Sequence, residues 1–107
     1  MTTLHIENTL HDYDSWKTAF DKYDRVRADN GVRSYRISRR PDDPQQVVID
    51  LEFDDRAAAE AFTGILAKVW SSPQSRAELV SHSEPLLLEV VEDRVLTADG
   101  APLSASR

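Results

Sequence analysis

The sequence predicts an α+β sandwich in which a four-stranded antiparallel sheet carries helices on one side. Three observations point there. Tyr13, Trp16, Phe20 and Tyr23 recur at helical spacing between a short alternating stretch and Gly31. Val47, Ile49, Leu51 and Phe53 alternate with Val48, Asp50 and Glu52, the period of a half-buried strand. A second apolar stripe, Ala58, Ala61, Phe62, Ile65, Leu66 and Val69, then returns to helical spacing.

Each element follows from local chemistry. Over residues 3–10, Leu4, Ile6 and Leu10 share one face with His5, Glu7 and Thr9 on the other, and Asn8 interrupts the apolar face. Asp12 or Asp14 suits the N-cap of the first helix, because a short carboxylate accepts from the free N–H groups of the first turn. The buried stripe of that helix is Trp16, Ala19, Phe20, Tyr23 and Val26, and Gly31 suits the left-handed position that ends it. Residues 32–53 read as a hairpin whose loop spans about residues 40–46, since Pro41 and Pro44 donate no ladder hydrogen bond. A turn centred on Asp43 places Tyr35 opposite Leu51, Arg36 opposite Asp50 and Ile37 opposite Ile49, matching charge with charge and hydrophobe with hydrophobe. Asp54 or Asp55 caps the alanine-rich second helix, and Ser72-Pro73 starts a short third helix over residues 73–81. Leu86 to Val91 is the last strand. From Asp93 the period is lost, so residues 1–92 are read as the domain and 93–107 as a tail that is mobile or wrapped on a partner.

The order βαββαβ is the ferredoxin-like arrangement. The face turned from the helices is expected to mix Val48, Leu87 and Val91 with His5, Glu7, Asp50, Glu52 and Glu89. A face open to water is more uniformly polar, so cover by a second copy, a homodimer, is the expectation.

Composition narrows the function classes. A formal net charge of −6 argues against a general nucleic-acid binder and against docking on anionic membranes. Without cysteine, thiolate catalysis and disulfides are excluded. No stretch reads as a signal peptide or membrane span, and a cytoplasmic location is the expectation. The three glycines lie far apart and form no phosphate loop, and no Gly-x-Ser-x-Gly elbow occurs. His5, His11 and His82 lack metal-ligand spacing, so no metal site is expected. Arg25, Arg27, Arg33, Arg36, Arg39 and Arg40 crowd one region; they either draw an anionic substrate or, as acids lie nearby, serve structure.

The runs Asp12-Tyr13-Asp14-Ser15-Trp16-Lys17, Gly31-Val32, Asp42-Asp43-Pro44 and Val47 through Phe53 resemble the dimeric α+β barrel superfamily. Within it the chain is similar, as a pattern over residues 2–92, to small proteins labelled cyclase-like or antibiotic-biosynthesis-monooxygenase-like. The resemblance implies a homodimer with facing sheets, and in each subunit a pocket between sheet and helices for a small aromatic or polyketide-like ligand. It implies no metal, flavin or other cofactor. It also implies that Asn8, in Glu7-Asn8-Thr9-Leu10, stands where cofactor-free monooxygenases and haem-degrading relatives place a site asparagine.

The candidate site residues follow. Asn8 orients a substrate by hydrogen bonding or, alternatively, ends the strand. His11, in the loop after strand one, is a candidate general base near neutral pH, and Tyr35 is a second candidate for moving a proton. Trp16, Phe62 and Trp70 supply an aromatic wall for a ligand or fill the core. Two functions stay open: a cofactor-independent oxygenase or cyclase, and a non-catalytic ligand-binding or accessory dimer module.

Overall fold

The structure, a computed structural model, describes residues 1–100. Its elements run β1 (Thr2–Leu10), α1 (Tyr13–Asp21), α2 (Asp24–Asp29), β2 (Val32–Arg40), β3 (Asp43–Phe53), α3 (Arg56–Trp70), α4 (Pro73–Glu78), β4 (Leu79–His82) and β5 (Leu86–Glu89). The strands form one antiparallel sheet in the order β2-β3-β1, with β4 and β5 both on the outer edge of β1. This is the ferredoxin-like α+β fold.

The hairpin register is the one that side-chain matching predicts: Tyr35 opposite Leu51, Arg36 opposite Asp50 and Ile37 opposite Ile49. A slip of one residue would turn Ile49, Leu51 and Phe53 out of the core, so burial holds this register. Leu4, Leu10, Leu51 and Phe53 are fully buried at its centre, with Ile6, Val47 and Ile49 beside them. The caps are Asp12, which accepts from the Ser15 N–H at 2.9 Å, and Asp55, which accepts from the Ala58 N–H at 2.9 Å. Gly31 has φ +94°, the left-handed conformation that favours glycine, and a Cβ there would stand 3.4 Å from that of Ala58.

Five expectations are corrected. The hairpin loop is shorter than residues 40–46: Arg40 pairs with Asp43, and a register shift next to that pair takes Pro44 out of the regular ladder, where its missing N–H costs nothing. The first helix breaks at Lys22-Tyr23, and beyond the break Val26 is 36 % exposed while Arg27 is buried instead. On α3 the buried positions are Ala59 and Phe62, whereas Ala61 is exposed. The third helix stops at Glu78, because Leu79 pairs with Leu10 in the sheet. A further strand, β4, forms over Leu79–His82, and the last strand ends at Glu89 rather than Val91 with its parity the reverse of the expected one. Leu87 lies opposite Leu4 and packs on the core, and Glu89 lies opposite Thr2; Leu86 and Leu88 therefore take the open face, beside His5 and Thr3.

Residues 93–100 are exposed, and the remainder of the expected tail lies outside the described residues. Among the described residues no helix is long and apolar enough to cross a membrane.

Candidate functional site

The helices do not close fully on the sheet. Between them lies a cavity of about 80 Å³ that opens to solvent. Its floor is the helix face of β1 and β3, including Ile6, Asn8, Ile49 and Leu51. Trp16 and Phe20 of α1, Phe62 and Trp70 of α3 wall it in with aromatic rings. The rings touch one another: Trp16 and Phe20 have centroids 4.9 Å apart, and Tyr13 and Trp16 are 5.9 Å apart. An apolar chamber with few polar groups is the general form of a small-molecule site.

Two of those polar groups are buried side chains. Asn8 is 5 % exposed, and its Oδ1 is buried with no hydrogen-bond partner. A buried acceptor left unpaired costs about 1–3 kcal/mol, and such groups in native proteins call for a partner. The strand periodicity explains the placement: Asn8 shares the inward face with Leu4, Ile6 and Leu10, so β1 carries its amide into the cavity.

Arg27 is the second, at 7 % exposed. Its Nη1 donates to Asp24 Oδ1 at 2.9 Å, and its guanidinium carbon stands 3.4 Å from the centroid of the Phe20 ring. Asp24 Oδ1 also accepts from the Tyr35 hydroxyl at 3.2 Å. Burial pulls the Arg27 pKa down from the usual arginine value, with the Asp24 charge opposing it; arginine remains cationic at neutral pH. Sequence reasoning missed this residue as a site group, although a signal existed. Trp16, Phe20, Tyr23 and Arg27 follow one another by four, three and four positions, so the aromatic stripe continues into the arginine rather than into Val26.

Glu78, at the end of α4, lines the cavity as well, and its carboxylate accepts from the Ser15 hydroxyl at 2.7 Å. His82 is stacked on Trp70, with centroids 3.8 Å apart and planes at 15°.

The structure thus brings Asn8, Trp16, Phe62 and Trp70 to one cavity and leaves His11 and Tyr35 outside its lining. His11 is exposed in the β1–α1 loop, where its backbone N–H donates to the Glu78 carbonyl. Tyr35 contacts the wall from behind, its ring edge-on to Phe20 at 5.3 Å, and burial together with the Asp24 charge raises its pKa above the usual phenol value. A raised phenol pKa makes Tyr35 a poorer source of phenolate at neutral pH.

The arginine cluster mostly serves structure. Arg25 pairs with Asp29 at 3.5 Å, Arg33 with Asp54 at 2.9 Å and Arg40 with Asp42 at 3.9 Å, while Arg39 lies over the Tyr13 ring. Arg36 faces Asp50 across the hairpin, but the Asp50 carboxylate is taken by His5 at 2.7 Å.

Comparison with known proteins agrees with this architecture. Residues 12–64 match the antibiotic biosynthesis monooxygenase family. A putative antibiotic biosynthesis monooxygenase from Deinococcus radiodurans superposes with a TM-score of 0.64 at 12 % identity, over 92 % of this chain and 100 % of that one. One from Nitrosomonas europaea gives a TM-score of 0.59 at 12 % identity, over 86 % of this chain and 100 % of that one. A dimeric ferredoxin-like protein from an uncultured marine organism gives 0.62 at 10 % identity, over 90 % and 92 %. No curated protein matches. At these identities the superpositions establish the fold. The chain shares the ferredoxin-like fold of these proteins and, over residues 12–64, resembles the antibiotic biosynthesis monooxygenase family.

Proposed function

We propose that this protein binds a flat, largely apolar aromatic molecule between its sheet and helices and oxygenates it without a cofactor. The observation that carries the reading is the buried, unpartnered Asn8 Oδ1 in a chamber walled by Trp16, Phe20, Phe62 and Trp70. An acceptor in that position is satisfied by a hydroxyl of the ligand, which fixes the ring against the aromatic wall. Matching of residues 12–64 to the monooxygenase family supports the choice of reaction. The chemistry needs an electron-rich substrate such as an anthrone, whose reactive methylene reduces dioxygen directly. One oxygen atom becomes the new carbonyl and the other leaves as water with the two methylene hydrogens. Asn8 orients the substrate, and Glu78, a carboxylate lining the cavity, accepts the proton.

The test is oxygen uptake with dihydroxynaphthalene-type and anthrone-type substrates, with Asn8→Ala as control. Uptake by the native chain that disappears in the variant is the expected result; no uptake with any of them overturns the oxygenase reading. A second reading, binding without turnover, is favoured by the position of His11 and Tyr35 outside the cavity. Saturable binding of an aromatic ligand with no oxygen consumption would select it.

The open face of the sheet supports pairing with a second copy, since Leu86 and Leu88 stand exposed there beside the hydrogen-bonded polar side chains. Light scattering at micromolar concentration is expected to give twice the chain mass; a monomer refutes the pairing.

A further inference from the structure

Arg27 has features that the aromatic reading alone does not use. It is nearly buried, it lines the cavity, and one donor, Nη1, is held by Asp24. A guanidinium carries five N–H donors, and among the described residues Asp24 is its hydrogen-bonding partner. Burying a cation is costly unless hydrogen bonds and an opposite charge compensate. Asp24 does so incompletely: its carboxylate is more than half exposed, and the same Oδ1 is shared with the Tyr35 hydroxyl.

Asn8 and Arg27 stand toward different sides of the chamber. Asn8 is on β1, next to β4, whereas Arg27 lies against Phe20 and within 5.5 Å of the Tyr35 ring on β2. The two strands β1 and β2 are separated by β3, so the span across the sheet is two strand spacings, roughly 10 Å. The charges differ as well. Glu78 belongs to α4, which runs directly into β4 on the Asn8 side, and its carboxylate repels an anion from that end. The chain as a whole is acidic, with formal charge −6, and gives an anion no general attraction.

We infer that the ligand is an aromatic acid held lengthwise: a hydroxyl or N–H at one end donates to Asn8 Oδ1, and a carboxylate or phenolate at the other pairs with Arg27. This rests on the aromatic-binding reading above and adds the polarity of the two ends. Arg27 thereby sets specificity, since a neutral ligand of the same shape leaves its free donors unmatched.

The test uses the two tryptophans, both in the cavity wall, as fluorescent reporters. Three probes are titrated: a naphthol, a hydroxynaphthoate with its groups at opposite ends of the rings, and the corresponding methoxynaphthoate, which lacks the donor. The native chain is expected to bind the hydroxynaphthoate about tenfold more tightly than either other probe, the size of one charge-assisted or one buried hydrogen bond. Arg27→Met should abolish the preference for the carboxylate while leaving naphthol affinity in place. If that variant fails to fold, Asp24→Asn serves: removing the competing carboxylate should tighten the hydroxynaphthoate several-fold and leave the naphthol unchanged. Equal affinity of the native chain for naphthol and hydroxynaphthoate, or a carboxylate preference that survives Arg27→Met, overturns the inference and leaves aromatic binding standing. Failure of every probe to bind overturns both.

Discussion

On the face of the sheet turned from the helices, polar side chains find one another across the strands. His5 Nδ1 lies 2.7 Å from Asp50 and its Nε2 3.1 Å from Glu7; the Thr3 hydroxyl donates to Glu52 at 2.7 Å and the Thr9 hydroxyl to Gln46 at 3.1 Å. On the helix face the same strand β1 presents Leu4, Ile6 and Leu10, and the amide among them, Asn8, has an oxygen with no partner. The contrast separates two uses of polarity. Paired groups on the open face specify strand register and can survive under cover. The unpaired group on the inner face is a cost to folding that a bound ligand would relieve.

The largest expected effect tests the inner face as the core. Phe53 is 0 % exposed, and Phe53→Ala should cost about 3–5 kcal/mol by denaturant unfolding. Leu88, 42 % exposed on the open face, should lose less than about 1 kcal/mol as Leu88→Ala. A comparable loss at the two positions would erase the distinction between the faces. A loss at Leu88 that grows as the protein is concentrated would instead place a second copy there.

Asn8 comes next. Asn8→Leu replaces an unpaired amide with a side chain that matches its neighbours, and should raise stability by about 1 kcal/mol while removing ligand binding. A variant that is less stable than the native chain would mean that the amide is already satisfied in the free protein, and the site would lose its principal support.

The smallest effect concerns pH. His5 has its pKa raised above the ordinary 6.5, first by its hydrogen bond to Asp50 and then by that to Glu7. The folded chain therefore holds this proton more tightly than the unfolded one. Its stabilising contribution is complete below about pH 6.5 and fades as pH rises through the raised value. Titration of the His5 ring by NMR should show the upward shift, and Asp50→Asn should take most of it away. An unchanged titration in that variant would detach His5 from the open-face network.

Much of this architecture was legible from local patterns. The alternation of Val47 to Phe53 and the matching of Arg36 with Asp50 set the hairpin register, because a strand has period two and burial of one face leaves a single alignment. The asparagine on β1 stood out for the same reason, as a polar residue on an apolar period. The sequence offers Asp12 and Asp14, and Asp54 and Asp55, equally as caps, since each supplies the same carboxylate and backbone geometry chooses between them.

Other features depend on contacts that no local pattern records. Pro85 marks the break between β4 and β5, but which parity Leu86, Leu87 and Leu88 take is decided by pairing with β1, more than eighty positions earlier. Three leucines in a row carry no alternation to read. The stripe Trp16, Phe20, Tyr23 runs on at helical spacing to Val26 and Arg27 alike, and packing alone selects Arg27, which puts a guanidinium rather than an alkyl group in the cavity. His11 and Tyr35 are near the site in sequence terms, yet a loop and an intervening Phe20 ring keep them from its lining. The sequence by itself determined the elements, the hairpin register and the inward asparagine, because these follow from periods of two and three to four residues. Tertiary packing decided the cavity, its buried arginine and the parity of the last strand, because each depends on how distant elements meet.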